Sequence, residues 1–461
     1  MRALTFTAYK RPLQETTAPE PAVGDHDVLV KVQAAGLNQL DEKIRTGEFK
    51  QFLHYSFPLT LGHDMAGTVI QIGALVRQFS IGDEVYARPR DGRIGTFAER
   101  ISVHEDDVAL RPTSINIVEA GSLPLVALTA WQALVERANV QPGQKVLIHA
   151  GAGGVGSIAI QLAKHLGATV ATTASSSNSD FVRGLGADVV IDYRNQDFEQ
   201  LLAGYDVVLD SLGGDNLEKS LRVLRRGGLA IGIAGPPDPA FARSVGLNPI
   251  MRLAIAALSR KIRKQAAKAG VSYEFLVMRA SGDQLRRIAT LVDDGVIRPI
   301  VGRIHAFDEA PEALAALVKG GIRGKASSPC PQTDTSPGDH SNVHLEPPRR
   351  HHLRVSADED RHGRRNDVRL PRTWTKRGHP RRLPRSPRRQ PRQLGPRIID
   401  AIARNRHVIT FDNVGVGASS GKVPDTIEAM AADAYTFISA FDFDTVDLFT
   451  FSMGGASSPR I

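Results

Sequence analysis

The rhythm of apolar and polar positions changes three times along the chain. Residues 1–122 carry β-branched runs, Val28-Leu29-Val30-Lys31-Val32 and Ala66-Gly67-Thr68-Val69-Ile70, punctuated by turn pairs such as Gly24-Asp25 and Gly82-Asp83. Such runs, bounded by turn residues, predict a β-rich unit. From 123 to 294, short apolar runs alternate with helical stretches, the pattern of βαβ units around a parallel sheet. The predicted strands there are 145–149, 169–173, 189–192, 206–210 and 229–233. Residues 295–326 return to strand and helix and are assigned back to the first unit. The expected fold class is α/β. From 327 to 397 no period is sustained, and Pro-Arg clusters such as Arg381-Arg382-Leu383-Pro384-Arg385 dominate. Low hydrophobicity with high charge predicts a disordered segment. Globular texture resumes in 398–461, with the strand-like His407-Val408-Ile409-Thr410-Phe411.

Composition adds limits. The 461 residues suit two or three domains, and a hydrophobic share of 42% supports a sizeable core. No run approaches the ~18 apolar residues of a membrane span. A single cysteine, Cys330, excludes an internal disulfide and a cysteine-rich zinc lobe. The opening Met1-Arg2-Ala3-Leu4-Thr5-Phe6 alternates like a strand and lacks a signal-peptide core. The expected location is cytoplasmic, with no membrane partner. The net charge of +9 is concentrated: sixteen Arg and Lys376 against five acids give +12 within 346–397, leaving −3 elsewhere. Basicity therefore says nothing about partners of the main body. Nearly absent aromatics in the basic segment (only Trp374) argue against a specific nucleic-acid partner.

The chemistry-bearing motif is Lys145-Val-Leu-Ile-His-Ala-Gly151-Ala-Gly153-Gly154-Val155-Gly156, running on into an amphipathic stretch to Lys164. A strand leading into G-x-G-x-x-G and a helix is a dinucleotide fingerprint. Gly151 would permit a tight turn, Gly153 a close approach to pyrophosphate, and Gly156 close helix–strand packing. The helix N-terminus, with Gly154 and Val155, would offer N–H groups to phosphate. The second predicted strand ends in Thr173-Ala174-Ser175-Ser176, with no acid to hold a ribose 2′-OH or repel a 2′-phosphate. Ser175 and Ser176 can donate to a 2′-phosphate or cap the next helix. The expected cofactor is NADP(H).

These residues resemble the medium-chain dehydrogenase/reductase superfamily, and within it the quinone and enone reductases. Besides the glycine motif, the resemblance rests on Ala35-Gly36-Leu37-Asn38-Gln39-Leu40-Asp41, Leu61-Gly62-His63-Asp64-Met65-Ala66-Gly67 and Leu123-Pro124-Leu125 with Thr129-Ala130-Trp131. Gly186-Ala187-Asp188 with Asp192-Tyr193, and Gly321-Ile322-Arg323-Gly324-Lys325, extend it to residue 325. It implies a GroES-like β domain (1–122 and 295–326) packed on a Rossmann-type domain (123–294). Thr129 would touch the nicotinamide ribose, Tyr193 the adenosine phosphate, and Asn38 and Asp41 would line the cleft. Similar NADPH reductases often carry a Lys where Asn178 stands, which implies a lost charge partner.

The resemblance also implies no metal. Asn38 or a neighbour stands where zinc enzymes of this superfamily have a cysteine ligand, and His63 alone is not a site. His63 reads instead as a strand-end histidine with satisfied hydrogen bonds. Without a Lewis acid, substrates that are already electrophilic are favoured, namely quinones and α,β-unsaturated carbonyls. Asn38 is the candidate donor to the developing oxyanion. Tyr55 is a candidate proton donor or ordinary packing, and Phe49 and Phe52 are candidate walls. The competing readings are a non-catalytic dinucleotide binder and a serine hydrolase. A homodimer is compatible with all of them.

Residues 398–455 resemble part of an α/β-hydrolase, with Ser452 at the nucleophile position, although Thr450 replaces the first Gly of G-x-S-x-G. Nine residues follow Ser452 and include no Asp, Glu or His, so a serine hydrolase is the least favoured of the competing readings. The Arg/Pro-rich stretch before it reads as a basic linker or as out-of-frame text. In similar reductases Gly-Lys leads into a closing apolar strand. Here Ala326-Ser327-Ser328-Pro329-Cys330 follows, and serine and proline suit strands poorly. The closing strand is therefore expected to be missing or short, and residues beyond about 326 to be dispensable.

Overall fold

The computed structural model describes residues 1–51, 53–318 and 323–330. They all belong to a unit spanning Met1–Ser336. Phe52, the basic segment 346–397 and the hydrolase-like fragment with Ser452 lie outside the described residues.

The chain begins with β1 (Arg2–Phe6), β2 (Gln14–Thr17) and β3 (Asp27–Leu37), then α1 (Gln39–Thr46). Next come β4 (Leu59–Thr60), β5 (Asp64–Ile72), β6 (Glu84–Ala87), β7 (Arg100–His104) and β8 (Val108–Leu110). α2 (Ile117–Ser122) and α3 (Pro124–Trp131) lead to β9 (Lys145–Ile148) and α4 (Gly154–His165). The alternation continues through β10 (Thr169–Ala174), α5 (Ser179–Gly184), β11 (Val189–Asp192), α6 (Phe198–Leu201), β12 (Tyr205–Asp210), α7 (Gly214–Val223) and β13 (Leu224–Gly232). α8 (Pro239–Ser244), α9 (Pro249–Leu258) and α10 (Arg260–Ala269) precede β14 (Ser272–Phe275) and α11 (Gly282–Asp293). β15 (Val301–Ile304), α12 (Ala310–Val318) and β16 (Lys325–Pro329) complete the series.

The fold is α/β, with two principal sheets. One has the order β15-β16-β3-β5-β6-β8, with β7 also paired to β3, and beside it lies the small sheet β2-β1-β4. This is the GroES-like part. The other sheet is parallel throughout, in the order β11-β10-β9-β12-β13-β14. Order reverses between β9 and β12, so the crevice for a ligand opens at the carboxyl end of β9, as Rossmann-type topology dictates. Its central strands are apolar on both faces because helices cover both. Val146 and Ile148 enter one core cluster and Leu147 another, and all three are fully buried. The five strands expected from pattern are present within a few residues. The short edge strand β14 was not anticipated.

The expectation of a missing closing strand is wrong. β16 pairs with β3 from Ala326↔Leu37 to Pro329↔Ala34, and with β15 from Val301↔Lys325 to Ile304↔Ser327. Pro329 is tolerated because alternation turns its nitrogen away from β3, where Cys330 N–H next donates to Gln33 O at 3.0 Å. The pairing with β15 has already ended there, so no ladder bond is lost. Ser327 is buried because its hydroxyl donates to Ala35 O at 3.1 Å. Residues 327–330, expected to be disordered, are therefore ordered, and a truncation after Lys325 would remove a strand lying between two others.

Candidate active site

The parallel sheet delivers the glycine loop to the crevice. After β9 the chain turns at Ala150, whose φ of +52° places a non-glycine residue in the left-handed region. The tight turn thus falls on Ala150 rather than on Gly151. Gly151 is needed for another reason: a Cβ there would stand 2.1 Å from Thr172 Oγ1. A Cβ on Gly156 would stand 2.3 Å from Ala150 O and 2.7 Å from the Cα of Gly151, so only glycine lets α4 lie against the turn. Gly153 differs. A Cβ there would meet only Ala150 O, at 3.3 Å. The first and third glycines therefore serve packing, and the second faces open space before the N-terminus of α4. The first turn of α4 contains Gly154, Val155 and Gly156 and no acid, and Lys164 and His165 lie in its last turn. Its uncompensated N–H groups and positive dipole end suit a pyrophosphate.

The end of β10 holds a second group of donors. Ser175 is buried, and its Oγ lies 3.0 Å from Ser177 Oγ and accepts from Asn178 Nδ2 at 3.2 Å. Ser176 is exposed. Tyr193 N–H donates to Ala174 O at 3.3 Å, which brings its backbone to the end of β10; its ring is 57% exposed, with the Arg194 guanidinium 5.8 Å over it. Sequence reasoning missed Arg323. Its Nε donates to Asn178 Oδ1 at 2.5 Å and its Nη2 to Ser177 O at 2.9 Å, with the guanidinium 5.7 Å over the Phe181 ring. The charge sought at position 178 is thus delivered from 145 residues downstream. Its presence in the Gly321–Lys325 motif was the only available signal.

A third cluster joins the two principal sheets. Gly324 N–H donates to Ala152 O at 2.8 Å, and Gly153 bridges Gly324. The next residue, Lys325, is buried, and its ammonium donates to Leu37 O at 2.9 Å, to Asp64 Oδ2 at 3.1 Å and to Asn38 Oδ1. Asp64 also accepts from Asn38 Nδ2 at 3.0 Å and from Leu125 N–H at 2.7 Å. Burial pushes the Asp64 carboxyl above the usual carboxylate range, while Lys325, Asn38 and Leu125 pull it back. The other Asn38 amide proton goes to Gly36 O at 3.2 Å. Both amide hydrogens and the amide oxygen of Asn38 are therefore engaged, and its expected role as an oxyanion donor is not available in this arrangement.

Asp41, expected to line the cleft, is fully buried. Its Oδ2 accepts from Asn38 N–H at 2.9 Å and its Oδ1 lies 2.6 Å from His63 Nδ1. His63 is not fully satisfied, since its buried Nε2 has no partner. Thr129 donates its hydroxyl to Leu125 O at 2.7 Å within α3. Tyr55 Oη is buried without a partner, and burial with the nearby Asp91 charge raises its pKa. Phe49 packs on the core of the β-rich part. The Asn38 oxygen, at or next to the position where the resemblance places a zinc ligand, accepts from the Lys325 ammonium, a positive charge that disfavours a cation at that oxygen. Among the described residues no three His, Cys, Asp or Glu side chains gather as a metal site.

His149, the last residue before the turn, bridges Thr173 Oγ1 (3.1 Å) and Ser220 Oγ (2.9 Å). Burial lowers its pKa to about 4 from 6.5. The unfolded chain then takes up a proton below pH 6.5 that the folded chain refuses, so stability falls as pH drops from 6.5 towards 4, by about 3 kcal/mol from this group. Melting temperature measured across that window should fall less steeply in His149→Gln than in the parent; equal slopes would contradict the assignment.

Comparison with known proteins decides the family. The chain is 35% identical over 321 residues to the Mus musculus NAD(P)H oxidoreductase RTN4IP1, mitochondrial, covering 65% of this chain and 81% of that protein. The chain belongs to the medium-chain dehydrogenase/reductase family. It is an oxidoreductase of that family, and a second relative, the 2-methylene-furan-3-one reductase of Solanum lycopersicum, is 33% identical over 338 residues, 70% of this chain and 78% of its own length. The quinone oxidoreductase of Coxiella burnetii superposes with a TM-score of 0.62 at 31% identity, covering 72% of this chain and 99% of that one. The family models matched are an alcohol dehydrogenase GroES-like domain at residues 24–113 and a zinc-binding dehydrogenase at 185–326. No helix among the described residues is long and apolar enough to cross a membrane.

Proposed function

We propose that this enzyme uses NADPH to reduce a quinone or an α,β-unsaturated carbonyl, a small electrophilic substrate, without zinc. The observation that carries the reading is the placement of Arg323 on the Ser175–Asn178 loop, beside a glycine loop with open space at Gly153. The names of the tomato and Coxiella relatives support the two substrate types. Residues 123–294 are taken as the cofactor lobe, and 1–122 with 295–326 as the substrate lobe.

Bound NADPH supplies the hydride; the chain supplies binding, orientation and a proton. N–H groups of Gly154, Val155 and Gly156 would hold the pyrophosphate, with Gly151 packed against Thr172 and Gly153 leaving the space open. Arg323, Ser175 and Ser176 would hold the 2′-phosphate, and Tyr193 would lie near the adenosine phosphate. Thr129, its own proton donated to Leu125 O within α3, would touch the nicotinamide ribose as an acceptor. Asn38 and Asp41 act through their neighbours: they fix Lys325, Asp64 and His63, and so the mouth of the site. Tyr55, whose hydroxyl is free of partners, delivers the proton to the reduced substrate.

Cofactor binding tests the reading. NADPH should bind more tightly than NADH by a modest factor. Arg323→Ala should weaken NADPH about tenfold, the worth of one charge-assisted contact, and leave NADH nearly unchanged. Equal weakening of both cofactors, measured by titration calorimetry, would remove Arg323 from the 2′-phosphate site.

A further inference from the structure

The helix α9 is built outside-in. Ile250, Leu253, Ala254, Ala257 and Leu258 recur at spacings of three and four, which places them in one stripe. That stripe faces solvent: Ile250 is 80% exposed, Leu253 73% and Leu258 62%, and both alanines are exposed. Ile255 on the opposite side is buried and holds the helix to the body. Isolated exposed leucines need no explanation, but a contiguous apolar helix face does.

Charge identifies what the face suits. From residue 239 to 273 the chain carries seven Lys and Arg and no Asp or Glu, in a protein whose net charge outside 346–397 is negative. Some of these charges are occupied: Lys261 pairs with Glu218, and Arg263 donates to Ala256 O. Arg260, Lys264 and Lys268, one turn apart along α10, are exposed. A second copy of this chain would bring an equally basic segment against this one, and the segment 346–397 is basic too. An apolar stripe flanked by lysine and arginine matches an anionic lipid surface, into which it sinks its side chains while the cations meet the headgroups. At about 15 Å, α9 is too short to cross a bilayer and would lie in its plane.

We propose that α9 and α10 form a peripheral membrane-contact surface for anionic lipid. This departs from the expectation of no membrane partner, and it stands independently of the reaction catalysed.

The test uses the full chain with vesicles of phosphatidylcholine alone or mixed with phosphatidylserine. The basic segment 346–397 will also attract anionic vesicles, but that pull fades with salt. At high salt the parent should still co-sediment with the mixed vesicles, and Ile250→Ser/Leu253→Ser/Leu258→Ser should lower partitioning at least tenfold. These side chains are exposed, so the melting temperature should not fall. Leu253→Trp should show a blue shift and quenching by brominated lipid relative to the parent. Three results would overturn the proposal: no binding by the parent, equal partitioning of the triple variant, or conversion of a parent dimer to a monomer by the triple variant, which would make the face an interface between copies.

Discussion

Gly156→Ala should cost the enzyme both its stability and its cofactor, whereas Gly153→Ala should cost it the cofactor alone. A Cβ on Gly156 would meet Ala150 O at 2.3 Å and the Gly151 Cα at 2.7 Å, and both are backbone atoms that cannot swing aside. Helix and turn must separate, which opens the packing of α4 on the sheet. Overpacking of this kind costs about 1–3 kcal/mol or more, and the turn that should meet the pyrophosphate moves with it. NADPH affinity should drop at least about 100-fold, two lost charge-assisted contacts. At Gly153 the added methyl meets only Ala150 O at 3.3 Å. The fold should tolerate it with little change in melting temperature, while the methyl intrudes where the pyrophosphate must come close. Thermal melts and NADPH titration of the two variants separate the roles. A Gly153→Ala protein that binds NADPH as the parent does would show that the open space is not a ligand cradle.

Asp64→Ala should be the most damaging single change at the junction of the two sheets. It leaves the Lys325 ammonium buried beside Asn38 and also strands Leu125 N–H and an Asn38 amide hydrogen. Removing one partner of a buried ion pair costs about 3–5 kcal/mol, because the other charge stays behind without compensation. For a protein of this size that is on the order of 10 °C in melting temperature. The double change Asp64→Leu/Lys325→Met removes both charges and should recover much of the loss. Activity should not recover with it, since the cluster also fixes the strand next to the bridge between Gly324 and Gly153. A double variant as unstable as the single would show that the pair does not act as a unit.

Elements with local causes were legible in the sequence. The glycine loop declares itself through a buried strand, three glycines at fixed spacing and an amphipathic helix, all within twenty residues. The parallel sheet follows from alternating short apolar runs. What escaped was non-local. Arg323 lies far in sequence from the loop it completes, and Lys325 reaches Asn38 and Asp64 across more than 260 residues. Without those partners Asn38 looked like a free donor, when all of its amide groups are spoken for. β16 was misread for a related reason. Serine and proline are poor strand formers on average, but a serine that reaches Ala35 O and a proline past the end of β15 incur none of the usual cost.

The proposed reaction is reduction of a quinone or an enone by NADPH without zinc. The most direct measurement is the rate of NADPH oxidation with a simple quinone and with a conjugated enone, before and after exhaustive treatment with a zinc chelator. At least one of the two substrates should turn over at a rate unchanged by the chelator, and Tyr55→Phe should lose about 100-fold with NADPH affinity retained. Binding of NADPH without turnover of either substrate, or turnover abolished by the chelator and restored by zinc, would contradict it.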